Sequence, residues 1–168
     1  LKEAGLPDGV INLVGGNPSD IAKVILAHPK LSGIHFTGST QTFESIWQQV
    51  GRNLSLYQNY PRVVGETGGK DFIFAHSSAD PEALTTALIR GAFEYQGQKC
   101  SAASRAYIPS SLWQTIKEPL RELTNSIRMG APDDFQNFMC SLIDQKSFTK
   151  VKGFIEHIKN ATNCEIFC

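Results

Sequence analysis

The chain has 168 residues, 41% of them hydrophobic and 19% charged, and its 16 basic and 16 acidic side chains balance to zero net charge. This is the composition of a globular protein large enough to bury a core, as one domain or pieces of two, and it excludes a disordered tail. No basic stripe interleaved with aromatics and no apolar run of membrane-spanning length is present, so neither nucleic acid nor a membrane is an expected partner.

The opening LKEAGLPDGVINLVGG lacks the basic end, apolar stretch and cleavage site of a secretory signal, and reads as the middle of a domain. NPSDIAKVILAHP follows. Asn17, Ser19 and Asp20 are cap-type residues, Ile21, Val24 and Ile25 are apolar at helical spacing, and Pro29 stops the helix. SGIHFTG reads as a short buried strand ending at Gly38. From Thr40, the spacing of Phe43, Ile46, Trp47, Val50, Leu54 and Tyr57 predicts a helix with one buried face. PRVVGE and KDFIFA are predicted strands separated by the Gly68-Gly69 turn. ADPEALTTALIRGAFEYQG is the clearest helix, with Asp80 as cap, Pro81 in the first helical position and Gly97 at the exit.

SRAYIP is strand-like. A helix is expected from Ser110 or Ser111, carrying Leu112, Ile116, Leu120, Leu123 and Ile127 on one face, with Pro119 kinking or splitting it. MGAPDD is a loop. Asp144 caps a last helix bearing Phe148, Val151, Ile155 and Ile158, and NATNCEIFC ends the chain in an apolar, strand-like segment. Both ends suggest an internal fragment of a longer protein. Strands alternating with helices of this length imply an α/β fold of largely parallel sheet flanked by helices, whose ligands bind beyond the carboxyl ends of strands.

The four cysteines, Cys100, Cys140, Cys164 and Cys168, have neither the density of a disulfide scaffold nor the paired close spacings of a zinc site, so no metal is expected. Three segments lie where strands or helices end. In FTGST, Gly38 ends a strand while Ser39 and Thr40 open a helix. This is either an ordinary capped turn or a site where free amides meet a phosphate; the G-x-G-x-x-G fingerprint is absent. In GETGGK, Glu66 stands among Gly65, Gly68 and Gly69. It is either an exposed glutamate in a flexible turn or a general base that the glycines let a ligand approach, while Lys70 reads as structural. In GQKCSA, Cys100 follows Lys99 and is either a core thiol or a nucleophile whose thiolate the neighbouring ammonium or backbone amides favour. Taken together, a cysteine, a glutamate and an anion-binding turn suggest covalent catalysis assisted by a base and a phosphate-bearing cofactor.

FTGST, GETGGK and GQKC, in this order and with Cys100 34 residues after Glu66, resemble the aldehyde dehydrogenase superfamily. GLPDGVINLVGG resembles the family's segment before the phosphate-contacting helix, so the likeness runs over essentially the whole chain. FEYQGQKCSA, SLWQTIK, SLIDQKSFTKVKGFIEH and Phe43, where many relatives carry a second glycine, are most similar to the branch that oxidises L-glutamate γ-semialdehyde to L-glutamate in proline degradation.

The resemblance implies an aldehyde dehydrogenase-like, Rossmann-like α/β architecture incomplete at both ends. Residues 1–66 would be the second half of an NAD-binding domain and residues 67–168 the first part of a catalytic domain. It implies Cys100 as nucleophile, Glu66 as base for the hydrolytic water, and Gly38, Ser39, Thr40, Gln41 and Thr42 along the NAD pyrophosphate. Thr67 would lie near the nicotinamide and Ser101 at the substrate carboxylate. It further implies a homo-oligomeric full-length enzyme acting on a small aldehyde, in the mitochondrial matrix of a eukaryote or the cytoplasm of a bacterium. The family's oxyanion-hole asparagine, ribose-holding lysine, downstream glutamate and carboxylate-binding loop have no counterpart in these residues, so a molecule ending at Cys168 is expected to be inactive. The alternatives are an aldehyde dehydrogenase of another substrate class and a non-catalytic fragment acting as an interaction module.

Overall fold

The computed structural model describes residues 1–168, which form two compact units, Leu1–Gly68 and Gly69–Cys168. Each is organised by one strand–helix–strand crossover.

In the first unit, α1 (Pro18–Leu26) starts where the Asn17 side chain accepts the Ser19 N–H at 2.9 Å. Its last turn is closed from elsewhere in the unit. Asn53 Nδ2 and Tyr57 Oη both donate to the Leu26 carbonyl, at 2.9 and 2.6 Å. β1 (Gly33–Gly38) leads through α2 (Thr40–Arg52) to β2 (Arg62–Thr67), which pairs with β1 in parallel over its whole length. The apolar spacing suggested a helix reaching Tyr57. Instead α2 stops at Arg52, a short 3-10 turn covers Leu54–Leu56, and Tyr57 turns back to bond α1. Phe36, Phe43 and Trp47 stack between strand and helix, with centroids 6.1 and 5.5 Å apart. The Phe43 ring occupies the face of Gly65 so closely that a β-carbon there would lie within 2.6 Å of Cε1.

In the second unit, β3 (Asp71–Phe74) is joined through α3 (Pro81–Phe93) to β4 (Ala103–Tyr107), again in parallel. Asp80 caps α3 by accepting the Ala83 N–H at 2.8 Å. α4 (Ser110–Asn125) packs against α3, and Ala75, Leu84, Leu112 and Ile116 form the core, with Ile73, Leu88, Ile108 and Trp113 around them. Pro119 neither splits nor ends α4. A proline removes one N–H from the ladder, yet the helix continues for six residues beyond it, where the Thr124 hydroxyl also donates to the Leu120 carbonyl at 2.7 Å. The terminal segment is irregular, not a strand. It is held by Phe167, whose ring stacks 5.0 Å from Trp113 and lies under the Arg121 guanidinium.

Two strands make a small sheet, and parallel sheets ordinarily have both faces covered. Here Val64, Phe72, Phe74 and Tyr107 remain exposed, Phe74 at 75%. The same holds for α5 (Gln145–Lys159), whose apolar stripe of Phe148, Val151, Ile155 and Ile158 is exposed and which buries no residue. No helix is long and apolar enough to cross a membrane.

With no buried residue, α5 leans on its cap. The Asp144 carboxylate accepts the Ser147 N–H at 2.7 Å, and this bond holds its pKa below the ordinary carboxylate value. A depressed folded-state pKa contributes stability above the unfolded value and loses it as pH falls through the folded one. Helical ellipticity at 222 nm should therefore fall below about pH 4, and Asp144→Asn should flatten the part of that transition that belongs to α5.

Candidate active site

The carboxyl ends of β1 and β2 gather most of the polar residues singled out in the sequence. The register sets Thr37 opposite Glu66 and Gly38 opposite Thr67, so the strand ends carrying Glu66 and Thr67 adjoin the turn that opens α2. Gly38 is fixed by packing, since a β-carbon there would sit 2.6 Å from the Phe36 ring. Ser39 caps α2, its Oγ accepting the Thr42 N–H at 3.2 Å and lying 2.7 Å from the Thr42 hydroxyl. The amides of Thr40 and Gln41 lie in the first turn, where a helix has no acceptors of its own. Gly38 to Thr42, Glu66 and Thr67 are all exposed. Glu66 is therefore a solvent-facing carboxylate in this unit, not a half-buried one.

Cys100 belongs to the second unit and sits differently from the expected place at the carboxyl edge of a sheet. α3 ends at Phe93, four residues before the predicted exit at Gly97. Tyr95, Gln96 and Gly97 then take three successive left-handed conformations, with φ of 55°, 57° and 66°. Non-glycine residues visit this region singly and at a cost, so two in a row must be held by their surroundings. Several bonds hold them. Gln98 N–H donates to the Tyr95 carbonyl at 3.0 Å, Gln96 Nε2 donates to the Ser141 carbonyl at 3.0 Å, and Gln98 Oε1 accepts the Ile143 N–H at 3.1 Å. Lys99 to Ala102 form a tight turn, closed by the Ala102 N–H on the Lys99 carbonyl at 3.3 Å. Cys100 and Ser101 occupy its two central positions, both exposed, and β4 begins at Ala103. Cys100 is thus a free, accessible thiol at the amino edge of its sheet, not a core cysteine.

Two features of this turn were not read from the sequence. Gly69, just before β3, presses its backbone on the Cys100 peptide. With φ of +146°, a β-carbon there would overlap the Cys100 carbonyl oxygen and lie 2.8 Å from its carbon. And the Lys99 ammonium, adjacent in sequence to Cys100, is bonded to Glu94 Oε2 at 2.6 Å, while Arg90 takes Glu94 Oε1 at 2.7 Å. The two cations hold the Glu94 carboxyl below its ordinary range. The doubled glycine was the only available hint of the first feature.

Cys140, in the segment bonded to Gln96 and Gln98, is partly buried; Cys164 and Cys168 are exposed and unpaired. No three His, Cys, Asp or Glu side chains converge as a metal site would require.

The Aldehyde dehydrogenase family model matches residues 1–168. The chain is 49% identical to the mitochondrial delta-1-pyrroline-5-carboxylate dehydrogenase of Dictyostelium discoideum, over 99% of this chain and 30% of that one. It is 44% identical to the Homo sapiens protein of the same name, with the same coverage. Among solved structures, the delta-pyrroline-5-carboxylate dehydrogenase from Mycobacterium tuberculosis bound with NAD and cobalamin superposes with a TM-score of 0.93 at 53% identity, covering 99% of this chain and 31% of that one. The chain therefore spans about 30% of the length of the relatives it matches.

The Gly69 contact makes a direct prediction. Gly69→Ala should destabilise the chain by about 1–3 kcal/mol through overpacking against the Cys100 peptide. Gly51→Ala, inside α2 with open space around it, should stabilise it by up to about 1 kcal/mol. Urea denaturation of both variants measures the contrast.

Proposed function

This chain belongs to the aldehyde dehydrogenase family, and from that premise we propose that it carries the nucleophile and the base of an NAD-dependent oxidation of L-glutamate γ-semialdehyde to L-glutamate. The observation that carries the proposal is an accessible free thiol, Cys100, on a rigidly bonded turn of a chain about half identical to delta-1-pyrroline-5-carboxylate dehydrogenases.

In the proposed reaction the Cys100 thiolate attacks the aldehyde carbon. The S–C bond forms and the carbonyl electron pair moves to oxygen, giving a thiohemiacetal whose oxyanion accepts the Cys100 backbone N–H. NAD, when bound, supplies the acceptor for the hydride that leaves this carbon. The thioester that results is hydrolysed by a water from which Glu66 takes a proton, and the C–S bond breaks to return the thiolate. Ser101, the other central residue of the turn, is assigned to the substrate carboxylate.

The residues of the first unit fit the cofactor. Gly38 has no side chain, Ser39 caps α2, and the Thr40 and Gln41 amides open toward the end of the helix, which suits a pyrophosphate. Thr42 shares the cap, and Thr67, opposite Gly38 in the register, is assigned to the nicotinamide side. Residues 1–66 are accordingly assigned to the NAD-binding domain and residues 67–168 to the catalytic domain. The Dictyostelium and human relatives are named mitochondrial, and for a eukaryotic source we assign this protein to the mitochondrial matrix.

The 168 residues alone lack the remaining family machinery, and NADH formation from glutamate semialdehyde should be absent with this stretch by itself. Iodoacetamide labelling followed by peptide mass spectrometry tests the reading without turnover. Cys100 should be alkylated faster than Cys140, and NAD should change the Cys100 rate alone. Equal rates, indifferent to NAD, would favour a non-catalytic module.

A further inference from the structure

The left-handed pair Tyr95–Gln96 lies between the end of α3 and the turn that carries Cys100. Glu94 stands at one end of this stretch and Lys99 at the other. The carboxylate uses one oxygen for Arg90, on the last turn of α3, and the other for Lys99, the residue before Cys100. It therefore ties the helix to the turn and closes a loop over the four intervening residues, Tyr95 to Gln98, whose backbone would otherwise relax. We propose that Glu94 is a positioning residue for Cys100, drawing Lys99 back onto α3 and so fixing the turn that presents the thiol.

A partly exposed ion pair is ordinarily weak and contributes little to stability. Three observations separate this one from surface decoration. Both carboxylate oxygens are used, at 2.7 and 2.6 Å. The bridge spans Tyr95 and Gln96, whose sparsely populated conformations persist only where surrounding contacts fix them. The far side of the same turn is closed by the Gly69 backbone, so the turn is held by packing on that side and by the carboxylate on the Lys99 side. Gln96 and Gln98 fasten the loop to residues 141 and 143, which leaves Glu94 as its charged anchor on α3.

The inference rests on Cys100 being the nucleophile, and the experiment separates the two claims. Amide hydrogen exchange of residues 95–101 should accelerate about fivefold or more in Glu94→Gln and in Lys99→Met, with residues 83–92 of α3 changing less than about twofold. Lys99→Arg, which keeps a cation at the same place, should exchange as the unsubstituted protein does. In the full-length protein that carries this chain, Glu94→Gln should lower kcat, per titrated Cys100, about tenfold while the KM for NAD stays within about twofold. Unchanged exchange in Glu94→Gln, or Lys99→Arg exchanging as fast as Lys99→Met, would overturn the positioning role. A Cys100 no more reactive than Cys140 in the unsubstituted protein would instead overturn the nucleophile assignment, whatever the exchange shows.

Discussion

No side chain fits between Gly69 and the Cys100 peptide, and the geometry of the second unit follows from that contact. Two backbone segments meet there at the amino edge of a parallel sheet, one leading into β3 and the other into β4. Their closeness lets the Asp71 end of β3 pair beside Ala103, with the register irregularity falling between Asp71 and Phe72. A thiol on such a turn is exposed yet has little backbone freedom, because one side is closed by Gly69 and the other by the bonds of Gln96, Gln98 and Lys99. The first unit uses the same device. Gly65 is bare because the Phe43 ring covers it, and that ring seats α2 against the strand that ends in Glu66 and Thr67.

The energetics are uneven along the chain. The core of the second unit is a small cluster around Ile116, the one large side chain with no exposure at all. Elsewhere the apolar faces of both sheets and of α5 meet solvent. Strands rich in Val, Ile and Phe are the sequence pattern of parallel sheets covered on both sides. Two-stranded sheets realise that pattern only in part. Local features therefore matter more here than in a larger core: Asp80 and Asp144 at helix starts, Asn53 and Tyr57 on the last carbonyl of α1, and Arg121 over Phe167 at the terminus.

Much of this was legible in the residues. Asn17, Ser39, Asp80 and Asp144 marked four helix starts, and each side chain accepts the backbone N–H that a cap requires. The alternation of strand and helix gave both parallel crossovers. What stayed hidden was set by contacts distant in sequence or by backbone torsions. The end of α3 at Phe93 depends on two left-handed residues, Tyr95 and Gln96, whose types do not announce that conformation. Tyr57 continued the helical spacing of α2 but is drawn out of it by the Leu26 carbonyl. Pro119 was expected to kink or split its helix, and α4 runs unsplit through it. Lys99 looked like a partner for the thiol beside it in sequence, yet its ammonium is bonded five residues back, at Glu94. The terminal apolar run looked like a strand and instead packs through Phe167 on α4. The order and spacing of the Gly38-Ser39, Glu66 and Cys100 segments pointed to a family, and the chemistry proposed for each residue follows from that resemblance; the structure adds their exposure and local bonding.

The account stands on Cys100 forming and releasing a covalent acyl intermediate with Glu66 as the hydrolytic base. The most direct measurement is to incubate the full-length protein carrying this chain, as the Glu66→Gln variant, with NAD and glutamate semialdehyde, then quench in acid and map the peptides by mass spectrometry. The account predicts one glutamyl thioester, on the peptide containing Cys100, accompanied by one equivalent of NADH. An adduct on Cys140, Cys164 or Cys168, or a burst of NADH with Cys100 unmodified, would contradict it.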